Sequence, residues 1–458
     1  MSATPKHVRW LRAELAEWVS RGLVSSAQAE ALRRAYPEPG ARLPWGTILF
    51  SGLGAVVAGL GVILLLAYNW HALGRGAKLG VVFSALAASH GAGIWLLRKE
   101  GSRPLGEAAC LLGSMFFGAG IWLVAQIYHI EEHYPNGFLL WSLGVLALAW
   151  AIPSLAHGYL AVVLLTIYAG AEALGFEHPV AWGPWLLLAG VGGLAWRERS
   201  GWLWAFALAG FALTLLFTAI GLAPGLVLRI MLFAGLALLA GSGWLGGRPQ
   251  AAPSGSAGAV VRFPACAPLM GASGRLIFLV CLYLLTFRGL ASELYGHATA
   301  WAQASWVVRL YGVFLPILTL MGWGMMAMPW RSRVNCGGKA LPYESWLGPL
   351  AGIVLLLLPA AQTGVVEPWL PAGFFNLIFL GLTAAWMSRG CREGSLRYTL
   401  TGSLMLVLLV TARFFDLFES LAWRGLLFLV TGGLLFAEGI FFRRARRQLR
   451  GSESEAAT

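Results

Sequence analysis

The chain has 458 residues, 58% of them hydrophobic and only 12% charged, with a formal net charge of +13. An average soluble domain is nearer a quarter charged, and a water-soluble fold of this length needs more polar surface to cover its core. A soluble enzyme or binding domain is therefore excluded. The basic residues lie in short stretches between apolar runs, where membrane topology accounts for them, so nucleic acid is not expected as a partner.

The apolar runs approach 20 residues, the length that carries a helix across a bilayer core of roughly 30 Å. Gly (59 residues) and Trp (22) are abundant, as expected where small residues let helices approach and Trp anchors at the interface. A β-barrel would show alternating segments of about ten residues instead. The expected fold is all-α: a polytopic transmembrane helical bundle of about 14 spans, with a range of 12–14. The five cysteines (Cys110, Cys266, Cys281, Cys336, Cys391) are scattered, with no C-x-x-C pair. They predict neither a disulfide framework nor a zinc site. The first 40 residues lack the apolar core of a signal peptide.

Residues 1–44 read as a cytoplasmic amphipathic helical segment. Trp10, Leu11, Leu15, Trp18 and Val19 share one helix face. Gly22 ends that helix, and Ser25 with Gln28 forms a capping box that starts a second one running to about Tyr36. Such a hairpin either lies on the inner membrane surface or docks a partner.

Transmembrane helices 1–8 are expected within 45–245, at 46–68, 77–97, 107–127, 138–152, 158–174, 181–196, 202–221 and 225–245. A Gly-, Ala-, Pro- and Ser-rich stretch, 246–274, reads as a flexible cytoplasmic linker. Helices 9–14 follow within 275–442, at 275–290, 306–328, 343–361, 372–388, 396–413 and 423–442. A basic, then polar, tail occupies 443–458. With the N-terminus inside, this threading places twenty-six of the 33 Lys and Arg on the cytoplasmic side. It predicts a multi-pass protein of the cytoplasmic (inner) membrane with both termini cytoplasmic. The two halves show no internal repeat of the kind found in inverted-repeat transporters.

Several polar residues fall where hydrocarbon should reject them. The first span closes in Ala67-Tyr68-Asn69-Trp70 and the third in Ala125-Gln126-Ile127-Tyr128-His129. Buried amides are costly unless hydrogen-bonded, so these ends either cap their helices or line an outward-facing pocket. Arg413, Asp416 (the only Asp in the chain) and Arg424 fall on the same side, between the last two spans. Arg413 and Asp416 are three residues apart and would pair on a helical turn. Glu172, Arg288 and Asn376 map to that side as well. The glycines of the first span (Gly52, Gly54, Gly59, Gly61) do not form a dinucleotide fingerprint, which needs a strand before it in a soluble α/β unit. Their role is close helix packing.

His129-Ile-Glu-Glu132-His133 matches H-x-x-E-H, in which two His at i and i+4 share a helix face. Pro135-Asn136-Gly137 follows at once, and His178 or Glu177 would have to supply a third ligand. No metal site and no cofactor are expected.

The motifs of the N-terminal third resemble those of a family of predicted bacterial membrane proteins, domain of unknown function 2157. The resemblance runs from Trp18, Gly22-Leu23-Val24, Gln28 and Tyr36, through Ala67-Tyr68-Asn69-Trp70, to Gly118–Ile121 and Ala125–Tyr128. It is best over 10–155, with the family core at 46–155, and implies no activity. The leading expectation is a membrane protein that binds or moves a lipid-linked or small polar ligand through an outward pocket. Its lining would be Asn69, Trp70, Gln126, Tyr128, His129, Arg413, Asp416 and Arg424. The alternatives are a non-transporting scaffold or sensor working through the N-terminal helices, its protein partner unknown, and an intramembrane metallohydrolase. The bilayer itself is a partner in every case.

Overall fold

The computed structural model describes residues 5–36, scattered positions within 50–73, and then 74–130, 133–222, 224–246, 263, 265–293, 305–327, 346–357, 369–416 and most of 429–441. The chain divides into two compact units, residues 1–132 and 133–458.

In the first unit, helix α1 (Pro5–Ser20) and helix α2 (Ser26–Ala35) form the expected hairpin. Gly22 takes a left-handed φ of 70° between them, a conformation that costs glycine little. Both halves of the capping box are made: Gln28 N–H donates to Ser25 Oγ at 3.2 Å, and Ser25 N–H donates to Gln28 Oε1 at 3.0 Å. Leu15 and Ala29 are buried, and Trp10 meets Trp18 edge-on at 5.9 Å. Ser25→Ala should cost about 1 kcal/mol of hairpin stability. Hydrogen exchange at the first amides of α2 should then quicken about fivefold, and unchanged exchange would show that the cap contributes nothing.

Helices α3 (Arg75–Arg98) and α4 (Arg103–Tyr128) pack against each other as an antiparallel pair. Their closest approach is through glycine. A Cβ added to Gly106 would lie 2.9 Å from the Leu97 backbone nitrogen and 3.0 Å from the Gly93 carbonyl. The α3 helix buries only Val82 and Gly93, while Phe83 and Trp95 are exposed. Apolar exposure of this kind suits a lipid-facing helix.

The second unit begins with α5 (Pro135–Ala151) and α6 (Leu155–Gly175). Next come α7 (Gly183–Leu187), a π-helical turn (Leu188–Gly192) and α8 (Gly193–Arg197), continuous along one axis. Helices α9 (Gly201–Leu222), α10 (Val227–Gly246) and α11 (Cys266–Leu285) follow, then a short α12 (Arg288–Glu293). A second π turn (Leu310–Phe314) joins α13 (Trp306–Arg309) to α14 (Leu315–Ala327). Helices α15 (Leu347–Leu357), α16 (Trp369–Glu393) and α17 (Leu396–Asp416) complete the order, with helical residues again between 429 and 441. One continuous apolar core extends from Val145 on α5 to Leu409 on α17.

Among the described residues, eight helices are long and apolar enough to cross a bilayer, and four shorter apolar helices accompany them. The all-α, polytopic architecture is as expected. The first expected span, 46–68, lies largely outside the described residues. The ninth differs from expectation: α11 begins at Cys266, nine residues before 275, inside the stretch read as linker. The reason is packing. Gly271-Ala-Ser-Gly274 looks like a linker in one dimension, but Gly274 lies against Gly235 of α10, where added Cβ atoms would meet backbone at 2.8 Å in both directions. Glycine also brings α16 and α17 together, through Gly390 and Gly402. The four described cysteines are free thiols; Cys266 and Cys391, expected in loops, lie in α11 and α16.

Candidate functional site

Of the residues expected to line an outward pocket, Asn69, Trp70 and Arg424 lie outside the described residues. Arg413 and Asp416 fall in the last turn of α17, with side chains outside the described set. Gln126, Tyr128 and His129 close α4 and are exposed. His129 takes a left-handed φ of 52°, and its N–H and that of Ile130 both return to the Ala125 carbonyl. The helix therefore stops at Tyr128. The reading of H-x-x-E-H as two histidines on one helix face is corrected here, because α4 ends at Tyr128, before either histidine.

His133 has other partners. Its Nε2 lies 2.8 Å from Oε1 of Glu172, 39 residues away in the last turn of α6. His178 Nδ1 lies 3.7 Å from the other carboxylate oxygen. Glu172 is only 5% exposed. Phe176 packs edge-on against His133 with ring centroids 3.9 Å apart. The sequence offered His178 as a third ligand beside His133 but placed Glu172 elsewhere, among the polar residues of the outer side. Only the loop after α6 does that: Glu177 takes a left-handed φ of 55°, and His178 N–H returns to the Glu172 carbonyl at 3.0 Å.

The second unit also contains an apolar cavity. A cavity of 450 Å³ is enclosed by α7, α9, α10 and α14, with Met270 of α11 at one end. It lies within the roughly 300–1,000 Å³ range of small-molecule sites. Ile230 and Trp244, both on α10, line its two ends. Fourteen residues of helix separate them, ~21 Å at 1.5 Å per residue. The cavity is therefore an elongated groove along α10. Ala234, Ala237 and Gly241 line it, and so does the exposed Leu318.

Both π turns border this groove, through Leu188 and Tyr311. Turns of this kind concentrate at functional sites because they widen a helix locally and release backbone groups. Local chemistry explains the first. A Cβ at Gly190 would lie 2.7 Å from the end of the Leu146 side chain, so glycine lets α5 pack closely against the turn, and Trp150 Nε1 donates to the Gly190 carbonyl at 3.0 Å. At the second, Trp185 Nε1 donates to the Tyr311 hydroxyl at 2.6 Å, and that hydroxyl donates to the Ala181 carbonyl. The result is a polar clasp at one end of an apolar groove.

Two more charged groups escaped the sequence reading. Arg229 is buried, and donates to the Leu356 carbonyl at the C-terminal end of α15 at 3.5 Å. Glu438 is buried and accepts from Ser403 Oγ at 2.7 Å. Neither stands out in sequence, because each is one charge near the end of an apolar run.

Membrane-length helices, lipid-facing apolar surface and glycine-mediated helix contacts define a polytopic helical membrane protein. Residues 16–158 match a family model described as predicted membrane protein, DUF2157, so the chain carries the segment by which that family is recognised. The match runs from α1 to the start of α6. No curated protein and no solved structure matches the chain.

Proposed function

We propose that the protein binds a lipid or lipid-linked molecule, one hydrocarbon chain of which lies in the groove between α7, α9, α10 and α14. The observation that carries this reading is the groove's shape. It is long, apolar and open along one side. A compact polar solute would leave most of such a groove unfilled. Three of its walls, α9, α10 and the helix that contains α14, are of membrane-spanning length, so its open edge meets acyl chains rather than water. The distribution of Lys and Arg supports an orientation in which the Trp185–Tyr311 end faces outward. The lipid's polar part would then lie beside the clasp at Ala181, on the side to which the polar span ends also map.

Hydrophobicity alone cannot supply affinity here, because bilayer tails are as apolar as the groove. Affinity must come from shape fit and from headgroup contacts. Mass spectrometry of the purified protein, released intact from detergent after extensive delipidation, tests this. One chain-bearing lipid per protein should survive the washing. Complete loss of lipid at the pace of the annular shell would contradict the proposal.

A further inference from the structure

The geometry points to a divalent transition-metal site formed by His133, Glu172 and His178, independent of the lipid groove. Each residue offers one ligand atom, and the three lie within 4.8 Å of one another. Two imidazoles and one carboxylate form the donor set preferred by zinc and neighbouring first-row cations. Three protein ligands leave a fourth tetrahedral position for water.

The position of Glu172 demands a positive partner on two separate grounds. Its carboxylate is buried, where an uncompensated charge is expensive. It also lies in the last turn of α6, where the carbonyl ends of the helix disfavour negative charge. Among the described residues its ion-pair partners are His133 and His178 and no Lys or Arg. A divalent cation held by all three groups supplies that charge.

The ligands are also pre-arranged. Phe176 packs edge-on against the His133 ring and restricts its rotation. Glu177 holds a left-handed conformation that a non-glycine residue rarely adopts, and this turn returns His178 to the carboxylate. His178 is the exposed member, with its side chain 71% accessible. A small rotation of that ring would bring its Nδ1 to the ~2.0–2.1 Å of a zinc–nitrogen bond. The ion would tie the loop after α6 to the residue that leads into α5.

The test uses the full chain in detergent micelles, loaded with Zn²⁺, freed of excess by gel filtration and assayed for metal by mass spectrometry. Co²⁺ absorption reports the geometry. The wild type should retain one zinc per chain and give a tetrahedral cobalt spectrum. His133→Ala, Glu172→Gln and His178→Ala should each weaken retention by about tenfold or more, and His129→Ala should leave it unchanged. Acidification should release the ion, because the ligands must be deprotonated to bind it. His178 is on the surface, so His178→Ala remains decisive if the Glu172 variant fails to fold. The proposal is overturned if the wild type retains no more zinc than His178→Ala, or if His129→Ala removes the metal as effectively as His133→Ala.

Discussion

Gly274→Leu should destabilise the second unit more than any single change on its lipid-facing surface. The α10 and α11 helices meet where Gly274 and Gly235 face each other. A Cβ at Gly274 would lie 2.8 Å from the Gly235 carbonyl oxygen, 2.9 Å from the Leu239 backbone nitrogen and 3.0 Å from Leu238 Cβ. Two of these neighbours are backbone atoms, which cannot turn aside as a side chain does. Overpacking a core costs about 1–3 kcal/mol even where side chains can adjust, and a leucine here must separate two helices. We expect a loss of about 3 kcal/mol or more, read as a lower unfolding midpoint in detergent and a poor yield of monodisperse protein. Gly80→Ala is the matched control. A Cβ at Gly80 meets nothing within 4 Å, so alanine should be neutral or stabilise α3 by up to about 1 kcal/mol. Equal behaviour of the two variants would show that the close contact between α10 and α11 does not exist in the membrane.

This contact also shows how far the sequence could be read. Helices whose character is local were legible. The α1–α2 hairpin, its Gly22 turn and its Ser25–Gln28 cap depend on residues a few positions apart, and the structure contains all of them. Most spans were legible for the same reason, since a long apolar run declares itself. What depends on a partner was not. The start of α11 at Cys266 is set by α10 packing on Gly274, not by hydropathy. The π turn at Leu188–Gly192 needs Leu146 and Trp150 of α5 beside it. His133 and Glu172 are 39 residues apart, and a left-handed residue at Glu177 is needed to add His178. His129 and His133 share no helix face because Ala125 accepts the bonds that end α4 at Tyr128.

The second large effect is expected at the groove itself. Ala237 lines it and is exposed within it. A tryptophan there would occupy the middle of the groove without entering the packed core. Ala237→Trp should therefore leave the unfolding midpoint near that of the wild type and displace the bound chain. A tenfold loss of occupancy corresponds to about 1.4 kcal/mol, which is within reach when shape fit is most of what distinguishes groove from bilayer. Leu377→Trp is the control. Leu377 is 69% exposed on α16 and takes no part in the groove, so any effect there reports general disturbance of the lipid-facing surface.

The most direct test of lipid binding is photo-crosslinking with a phospholipid that carries a diazirine on its acyl chain. The protein would be reconstituted in vesicles, and labelled residues located by peptide mass spectrometry. Labelling should concentrate on the groove, at Ala237, Gly241, Leu318 and Gly322, and fall by about tenfold in Ala237→Trp but not in Leu377→Trp. Labelling spread evenly over exposed apolar residues such as Phe83, Leu377 and Leu404, with no enrichment in the groove and no response to Ala237→Trp, would contradict the account.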